Sequence, residues 1–261
     1  MCGLCGFTGE IIDRDAVLEN MTEVITHRGP DSKGFYTDDK ISMGFRRLSI
    51  IDLDNGSQPI YNEDKTLVLM FNGEIYNYKQ LRKELQEKGH VFATDTDSEV
   101  LVHGFEEWRE DLLNRLRGMF GFAIWNRTDE SLFIARDFFG IKPMHYTQVG
   151  GHFLYASEIK SILKFPGFEK KFNYRTLDNY LSFQYAVPPE TFFEGVYCLL
   201  PGHYLWYRDG KVETTRYWEA RFNPDESLTE EQAVDEIEKV FEESVNAHKI
   251  SDVEVGCFLS S

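Results

Sequence analysis

A continuous apolar run predicts a strand, and apolar residues spaced one turn apart predict a helix after it, in the first third of the chain. Residues 67–71 are all apolar and are followed by Asn72-Gly73, which is typical of a buried strand that ends in a turn. Residues 77–88 carry helix formers with an apolar position every turn, and Asn77 and Gln80 have the spacing of a capping box. The pattern therefore predicts a strand, a turn and a helix in that order.

A second helix is predicted soon afterwards. Thr96 and Glu99 again have capping-box spacing, and apolar positions continue to about Trp108. Asp97 is then expected in the first turn of this helix, where a carboxylate interacts favourably with the helix dipole.

The middle of the chain reads as antiparallel strands joined by turns. Short aromatic or β-branched runs are separated by Asp-Glu, Phe-Gly and Gly-Gly pairs, and sheet is expected to continue to about Trp218. The runs are 119–125, 131–135, 144–148, 152–155, 195–199 and 203–207. Strands together with helices predict a layered α+β domain over residues 1–218.

The composition changes after Trp218. Residues 219–228 are polar and contain Asn223-Pro224, which indicates a linker. Thr229 and Gln232 then have capping-box spacing at the start of a helix with an apolar face. We expect residues 229–261 to begin a second unit.

Charge and hydropathy exclude several classes of partner. The 261 residues include 28 basic and 44 acidic ones, so the net charge of -16 disfavours nucleic acid and anionic membrane surfaces. No apolar run has the roughly 18 residues that span a bilayer, and the start of the chain lacks a signal-peptide pattern. A cytoplasmic location is expected, with the four cysteines as free thiols.

Cys2 is a candidate nucleophile because of its position. A residue as small as cysteine permits removal of Met1, which would leave Cys2 with its own α-amine. Such an amine has a pKa near 7.7–8.0 and can take the proton of the thiol at neutral pH. If Met1 is retained, this base is lost. Cys2 and Cys5 also form a C-x-x-C pair, but no second pair or Cys/His set completes four metal ligands.

Several ordered motifs extend this reading. The chain contains Cys-Gly-Leu-Cys-Gly at 2–6, His-Arg-Gly-Pro-Asp at 27–31, Arg-Leu-Ser-Ile at 47–50, Asn-Gly-Glu-Ile-Tyr-Asn at 72–77 and Thr-Asp-Ser-Glu at 96–99. In this order they resemble the class II glutamine amidotransferases of the N-terminal nucleophile hydrolase superfamily. Arg-Asp at 136–137, Gly-Ile-Lys-Pro at 140–143, Ala-Ser-Glu-Ile-Lys at 156–160 and Leu-Pro-Gly-His-Tyr at 200–204 resemble the glutamine-hydrolysing asparagine synthetases.

The resemblance implies a fold and a catalytic group. The fold is a four-layer αββα sandwich of two antiparallel sheets, and L-glutamine is the substrate. Cys2 would form a glutamyl thioester and release ammonia, while the Asn72 side chain and the Gly73 N–H would form the oxyanion hole. From the dipeptide alone, a plain hairpin turn is the alternative reading of Asn72-Gly73.

The resemblance also implies residues that bind the substrate. Arg47 would hold the α-carboxylate by bidentate hydrogen bonds, although Arg46 lies beside it and both arginines could simply be surface residues. Leu48, Ser49, Ile50 and Ile51 would line the pocket through backbone groups. Glu74 and Asp97 would hold the α-ammonium.

Histidines are assigned no catalytic or metal role at this point. His27 lies in a segment that resembles a pocket-organising loop, and the amine of Cys2 already supplies a base. His90, His103 and the remaining histidines show no metal-ligand spacing, so no metal and no cofactor is expected for the glutaminase domain.

The last residues resemble the start of an ATP-pyrophosphatase domain. The run 255–259 is strand-like, and Leu259 and Ser260 match the beginning of a pyrophosphate-binding loop. The expectation is the first helix and strand of an incomplete α/β domain, with ATP and Mg²⁺ needed only in the intact parent.

Two other functions stay open. The chain could be another class II amidotransferase, one that forms a phosphoribosylamine or an amino sugar phosphate, or a non-catalytic fragment that binds glutamine or a partner. The oligomeric state is also open, with a homodimer as one alternative.

Overall fold

The computed structural model describes residues 1–49, 56–250, 254, 256 and 257. The strands are β1 Gly3–Thr8, β2 Ser32–Thr37, β3 Ile41–Arg47, β4 Ile60–Tyr61, β5 Leu67–Ile75, β6 Gly118–Asn126, β7 Ser131–Arg136, β8 His145–Val149, β9 His152–Ala156, β10 Tyr197–Cys198, β11 His203–Arg208 and β12 Lys211–Arg216. The helices are α1 Arg14–Glu23, α2 Tyr78–Glu87, α3 Glu99–Trp108, α4 Ile159–Ile162, α5 Tyr174–Phe183 and α6 Glu230–His248. Short 3-10 helices lie at Thr26–Arg28 and Arg109–Asn114.

The strands form two antiparallel sheets of six. The first sheet has the order β10-β8-β9-β1-β3-β2, and the second has the order β12-β11-β7-β6-β5-β4. The second sheet is built largely from neighbours in the chain, while β1 lies between β3 and β9 and so joins distant parts of the sequence. The long register of β5 on β6, from Leu67 opposite Asn126 to Ile75 opposite Gly118, fixes the second sheet.

Three separate hydrophobic cores show that these elements form four layers. One core joins the first sheet to α1 and α4 through Phe7, Leu18 and Ile162. A second lies between the two sheets. The third joins the second sheet to α2 and α3 through residues such as Leu85 and Phe105. The expected α+β sandwich of two antiparallel sheets between helical layers is therefore confirmed.

Strand β5 explains why its sequence is apolar without alternation. Val68 and Met70 pack between the sheets, whereas Leu69 and Phe71 pack against the helices on the other side. Since successive side chains of a strand point to opposite faces, a strand covered on both faces needs apolar residues at every position.

The predicted turn at Asn72-Gly73 is wrong. Strand β5 continues through both residues to Ile75, and Gly73 lies opposite Phe120 of β6. A Cβ atom at Gly73 would meet the carbonyl oxygen of Met119 at 2.1 Å. The glycine is therefore required by close approach of two strands and not by a turn.

Two predicted capping boxes are also wrong. Asn77 precedes α2 but makes no side-chain cap, because its amide donates to the Arg115 carbonyl and its oxygen accepts from the Arg117 N–H. Helix α3 begins at Glu99, so Asp97 lies before the helix and not in its first turn. The Glu99 carboxylate turns back to accept hydrogen bonds from the Ala93 and Thr94 N–H groups.

The C-terminal helix differs from the rest of the described chain. Helix α6 has the predicted capping box of Thr229 and Gln232, yet none of its residues is buried. The division into residues 1–218, 219–228 and 229–261 stays a prediction. Leu259, Ser260 and most of the predicted strand 255–259 lie outside the described residues. Within the described part, no helix is long and apolar enough to cross a membrane.

Candidate active site

A cavity of about 140 Å³ opens at one end of the space between the two sheets. The alternation of strand side chains explains its lining. Cys2 lies two residues before Leu4, Arg47 two residues after Phe45, and Asn72 two residues after Met70, and those three apolar residues belong to the core between the sheets. Cys2, Arg47 and Asn72 therefore lie on the strand faces that point between the two sheets, just beyond the last apolar residue of the core.

The cavity brings together most of the predicted site residues. Those lining it are Cys2, Arg47, Leu48, Asn72, Gly73, Glu74 and Asp97. Ser49 is not among the lining residues, and its N–H donates to Asp31 Oδ2 at 2.8 Å. Ile50 and Ile51 lie outside the described residues. The roles assigned to all these residues remain predictions.

The thiol of Cys2 is held by the backbone at the end of β3. Leu48 N–H donates to Sγ at 3.3 Å, and Sγ lies 3.5 Å from the Leu48 carbonyl oxygen. Arg28 Nε donates to the Cys2 carbonyl at 2.9 Å and fixes the residue from the other side. Burial raises the pKa of the Cys2 thiol, while the Leu48 N–H and the nearby Arg47 charge oppose that shift. The thiol therefore needs a base before it can attack.

Met1 lies next to this thiol and also lines the cavity. Burial lowers the pKa of its α-amine. With Met1 attached, the nitrogen of Cys2 is an amide and cannot accept a proton. The predicted base therefore depends on removal of Met1.

The amide of Asn72 is a buried hydrogen-bond donor with no partner in the part of the chain that the structure describes. Asn72 is 2% exposed, and its Nδ2 has no hydrogen-bond partner among the described residues. A buried unpaired donor costs roughly 1–3 kcal/mol. Since the group faces a cavity, a ligand oxygen can satisfy it. The neighbouring Gly73 places backbone against the same cavity.

The structure distinguishes the two adjacent arginines. Arg46 faces the helical side of the first sheet, where it pairs with Glu23 of α1 and its Nε donates to the Thr22 carbonyl. Arg47 lies on the opposite face of β3 and lines the cavity at 7% exposure. Both arginines are 7% exposed, so the reading of Arg46 and Arg47 as surface residues is wrong.

Two carboxyl groups, those of Glu74 and Asp97, also line the cavity. Asp97 Oδ2 accepts the Ile75 N–H at 2.8 Å, and burial raises the pKa of Asp97 to about 7. Burial also raises the pKa of Glu74, whose Oε1 has no hydrogen-bond partner within the described chain. A ligand cation would compensate both groups.

Lys142 is a lining residue that the sequence did not single out. It is 4% exposed and reaches the cavity from the Gly-Ile-Lys-Pro motif. Burial lowers the pKa of Lys142, and the Cys2 thiol acts in the opposite direction. The motif was the available signal, but nothing in its spacing indicated that the lysine faces Cys2.

Two alternative readings of the N-terminal cysteines do not fit the geometry. Cys5 is fully buried against Thr22 on the other face of β1, with Sγ 3.4 Å from Oγ1, so Cys2 and Cys5 point apart. His27 Nε2 lies 2.7 Å from Glu158 Oε1 and is not a cavity residue.

Comparisons with known proteins agree with this arrangement. Residues 1–218 match a family model described as a glutamine amidotransferase domain. The chain is 42% identical to asparagine synthetase [glutamine-hydrolyzing] 1 of Bacillus subtilis over 98% of this chain and 42% of that protein. It is 34% identical to the amidase chyE of Penicillium rubens over 97% of this chain and 37% of that protein. The chain thus spans about two fifths of the length of these relatives.

A solved structure supports the fold. Glutamine phosphoribosylpyrophosphate amidotransferase from B. subtilis superposes with a TM-score of 0.60 at 19% identity, over 84% of this chain and 50% of that one.

Proposed function

The chain belongs to the glutamine amidotransferase domain family, and from this membership we propose that it hydrolyses the side-chain amide of L-glutamine at Cys2. The observation that carries the proposal is the convergence, in one cavity, of a thiol, an arginine, two carboxyl groups and a buried amide donor that no described residue pairs with. These groups come from four separate segments. Each group matches one part of glutamine.

Substrate binding follows from charge. Arg47 suits the α-carboxylate because a guanidinium donates two parallel hydrogen bonds. Asp97 and Glu74 suit the α-ammonium, since a buried carboxyl becomes stable as an anion when a cation neutralises it. The side-chain amide then extends towards Cys2 and Asn72.

The chemistry needs Met1 to be removed. The freed α-amine of Cys2 takes the thiol proton while Sγ attacks the amide carbon, and the developing oxyanion accepts hydrogen bonds from Asn72 Nδ2 and the Gly73 N–H. The proton passes to the leaving nitrogen, the C–N bond breaks and ammonia departs, leaving a glutamyl thioester. Water then attacks this carbon, the C–S bond breaks, and glutamate is released as the thiol regains its proton.

We further propose that the ammonia serves a synthetase domain in the parent protein. The relatives named asparagine synthetases are more than twice as long as the matched segment. By similarity, the acceptor is aspartate, activated by ATP with Mg²⁺, and the glutaminase part needs no cofactor. Leu259 and Ser260 stay candidate ATP-binding residues, and a cytoplasmic location stays part of the proposal.

The test is glutamate release from glutamine by the purified chain. Intact mass first establishes whether Met1 is absent. Cys2→Ala is expected to abolish glutamate release, while Cys257→Ser, which alters an exposed cysteine, is expected to leave it unchanged. Failure of the processed chain to release glutamate, with glutamine binding intact, would instead support the non-catalytic binding function.

A further inference from the structure

A cluster of four potential metal ligands lies outside the glutamine cavity. Glu63 comes from the turn between β4 and β5, His90 follows the end of α2, and His103 and Glu106 lie one turn apart on α3. None of the four lines the cavity. These residues show no metal-ligand spacing along the sequence, because they come from three segments that only the fold brings together.

The distances suit a single small cation. One ligand atom from each residue can be chosen so that all four lie within 4.8 Å of one another. His103 Nδ1 lies 3.2 Å from Glu63 Oε2, and His90 Nδ1 lies 3.3 Å from Glu63 Oε1. Tetrahedral ligands with bonds of about 2.1 Å are separated by about 3.4 Å. Modest side-chain rotation of the exposed Glu63 and Glu106 closes the longer separations.

His103 supplies the observation that points to a ligand. The residue is 1% exposed, and its Nδ1 has no hydrogen-bond partner within the described chain although it faces Glu63. Its other nitrogen, Nε2, lies 3.3 Å from Glu99 Oε1. A metal-bound histidine characteristically donates its second N–H to a carboxylate in this way, which leaves the first nitrogen as a lone pair directed at the metal.

The carboxylate that orients His103 is itself held firmly. Glu99 has a side chain that is 2% exposed, and it accepts hydrogen bonds from the Ala93 N–H, the Thr94 N–H and the Thr94 hydroxyl. Its position before binding is therefore set by the backbone that precedes α3. This rigid support is the kind that outer groups give to a metal ligand.

Outer hydrogen bonds also orient the two glutamate ligands. Glu106 Oε2 accepts from Asn62 Nδ2 at 3.1 Å. Glu63 Oε1 accepts from the Val91 N–H at 2.8 Å. Each carboxylate keeps a second oxygen that can bind a cation, so the bonds that position these side chains do not consume their capacity as ligands.

The charge balance favours a cation over an empty cluster. With neutral imidazoles, the lone pair of His103 Nδ1 faces a carboxylate oxygen, and two acceptors at 3.2 Å repel each other. A divalent cation between the groups satisfies all of them at once.

We propose that Glu63, His90, His103 and Glu106 bind one Zn²⁺ or a similar divalent transition-metal ion. Two imidazole nitrogens and two carboxylate oxygens form a ligand set that suits zinc, and the exposed glutamates provide the entry path. The ion would join the turn before β5 to α2 and α3, which makes it a stabilising site and not a catalytic one.

The experiment is a zinc titration of the full chain after removal of metals with a chelator. Cys2→Ala serves as the background, since a thiol can bind zinc independently. We expect one equivalent of Zn²⁺ to bind with a micromolar or lower dissociation constant, and to raise the melting temperature by several degrees at saturating metal. Co²⁺ at the same site is expected to give the visible absorption of a four-coordinate ion. Mg²⁺ at equal concentration is expected neither to bind measurably nor to raise the melting temperature.

Variants distinguish this site from general binding by an acidic chain. His90→Gln and Glu106→Gln, neither of which is fully buried, are each expected to weaken zinc binding at least tenfold without lowering the metal-free melting temperature. His27→Gln changes an exposed histidine elsewhere and is expected to leave binding unchanged. Absence of saturable zinc binding, or unaltered binding in both His90→Gln and Glu106→Gln, would overturn the proposal.

Discussion

At the scale of single residues, the site contains groups that the folded chain leaves unsatisfied. Asn72 Nδ2 and Glu74 Oε1 are buried without described partners, and burial raises the pKa of Asp97 to about 7. Such groups cost stability and are retained where a ligand completes them. Substitution of such a group should therefore lower activity without lowering stability.

Asn72→Ala tests this separation. Because Nδ2 makes no hydrogen bond to a described residue, its removal leaves no described acceptor unpaired and removes a buried unpaired donor, so the melting temperature should not fall. Loss of one oxyanion donor should lower kcat by about 10²–10³-fold. Thermal unfolding and glutamate-release kinetics measure the two effects. A large drop in melting temperature with unchanged kcat would show that the amide is structural.

Asp97 gives a pH dependence with a definite sign. Burial raises its pKa from 3.8 to about 7, so between these values the folded chain holds a proton that the unfolded chain has lost. The stabilising contribution is complete below pH 3.8 and is lost as the pH rises through about 7. Urea unfolding should show that the free energy of unfolding falls less between pH 3.8 and about 7 in Asp97→Asn than in the unaltered chain. The side-chain oxygen of this variant can still accept the Ile75 N–H.

The same carboxyl should control substrate affinity. Only its ionised form attracts the α-ammonium of glutamine, so KM for glutamine should rise as the pH falls below about 7. In Asp97→Asn, KM should be higher and should lose this dependence, while the pH profile of kcat keeps its form. An unchanged KM profile in the variant would assign the titration to another group.

At the scale of elements, local pattern was a good guide to the strands and a poor guide to their ends. The runs at 119–125, 131–135 and 203–207 correspond to β6, β7 and β11, because their apolar residues and turn signals act locally. Strand β5 extends beyond its predicted end because Gly73 pairs with a distant strand. That pairing is a tertiary contact that no local pattern contains.

Helix starts show the same limit. Thr229 and Gln232 form their predicted capping box, in a helix that has no buried residue. Asn77 has suitable spacing but bonds the chain at Arg115 and Arg117 instead. The alternation of side chains along β3 predicts that Arg46 and Arg47 lie on opposite faces of the strand. Only the packing of the second sheet shows which of these faces borders the cavity. Motifs named seven of the residues that line the cavity, but no motif pointed to the cluster of Glu63, His90, His103 and Glu106.

Thr229 and Asn77 should respond differently to substitution by alanine. Thr229→Ala should weaken the start of α6 by about 1 kcal/mol, which corresponds to roughly fivefold faster hydrogen exchange at the Gln232 N–H. Asn77→Ala should leave exchange at the start of α2 nearly unchanged and accelerate it at the Arg117 N–H instead. Faster exchange at the first turn of α2 in Asn77→Ala would mean that Asn77 does cap that helix.

At the scale of the whole molecule, the described chain consists of a well-packed sandwich and helix α6, which contacts the sandwich at its last turn, where the ring centroids of His248 and Tyr76 lie 4.2 Å apart. The sandwich encloses three cores, whereas the large apolar residues on one side of α6 are exposed. These residues are Val234, Ile237, Val240, Phe241 and Val245. An apolar stripe of this length is typical of a surface that another unit covers, which agrees with the proposed synthetase domain.

This difference predicts where charge can be introduced without cost. Ile237→Glu with Phe241→Glu should leave the melting temperature and the glutaminase activity unchanged, because the two side chains are 69% exposed and do not line the cavity. The double variant should also reduce self-association and binding of an apolar dye, since both depend on exposed apolar area. Sedimentation velocity, dye fluorescence and thermal unfolding measure these effects.

A matched change in the sandwich, Leu69→Glu, buries a charge in a core and should prevent folding. A marked loss of thermal stability in the α6 variant would mean that this helix packs on the sandwich and belongs to the same cooperative unit.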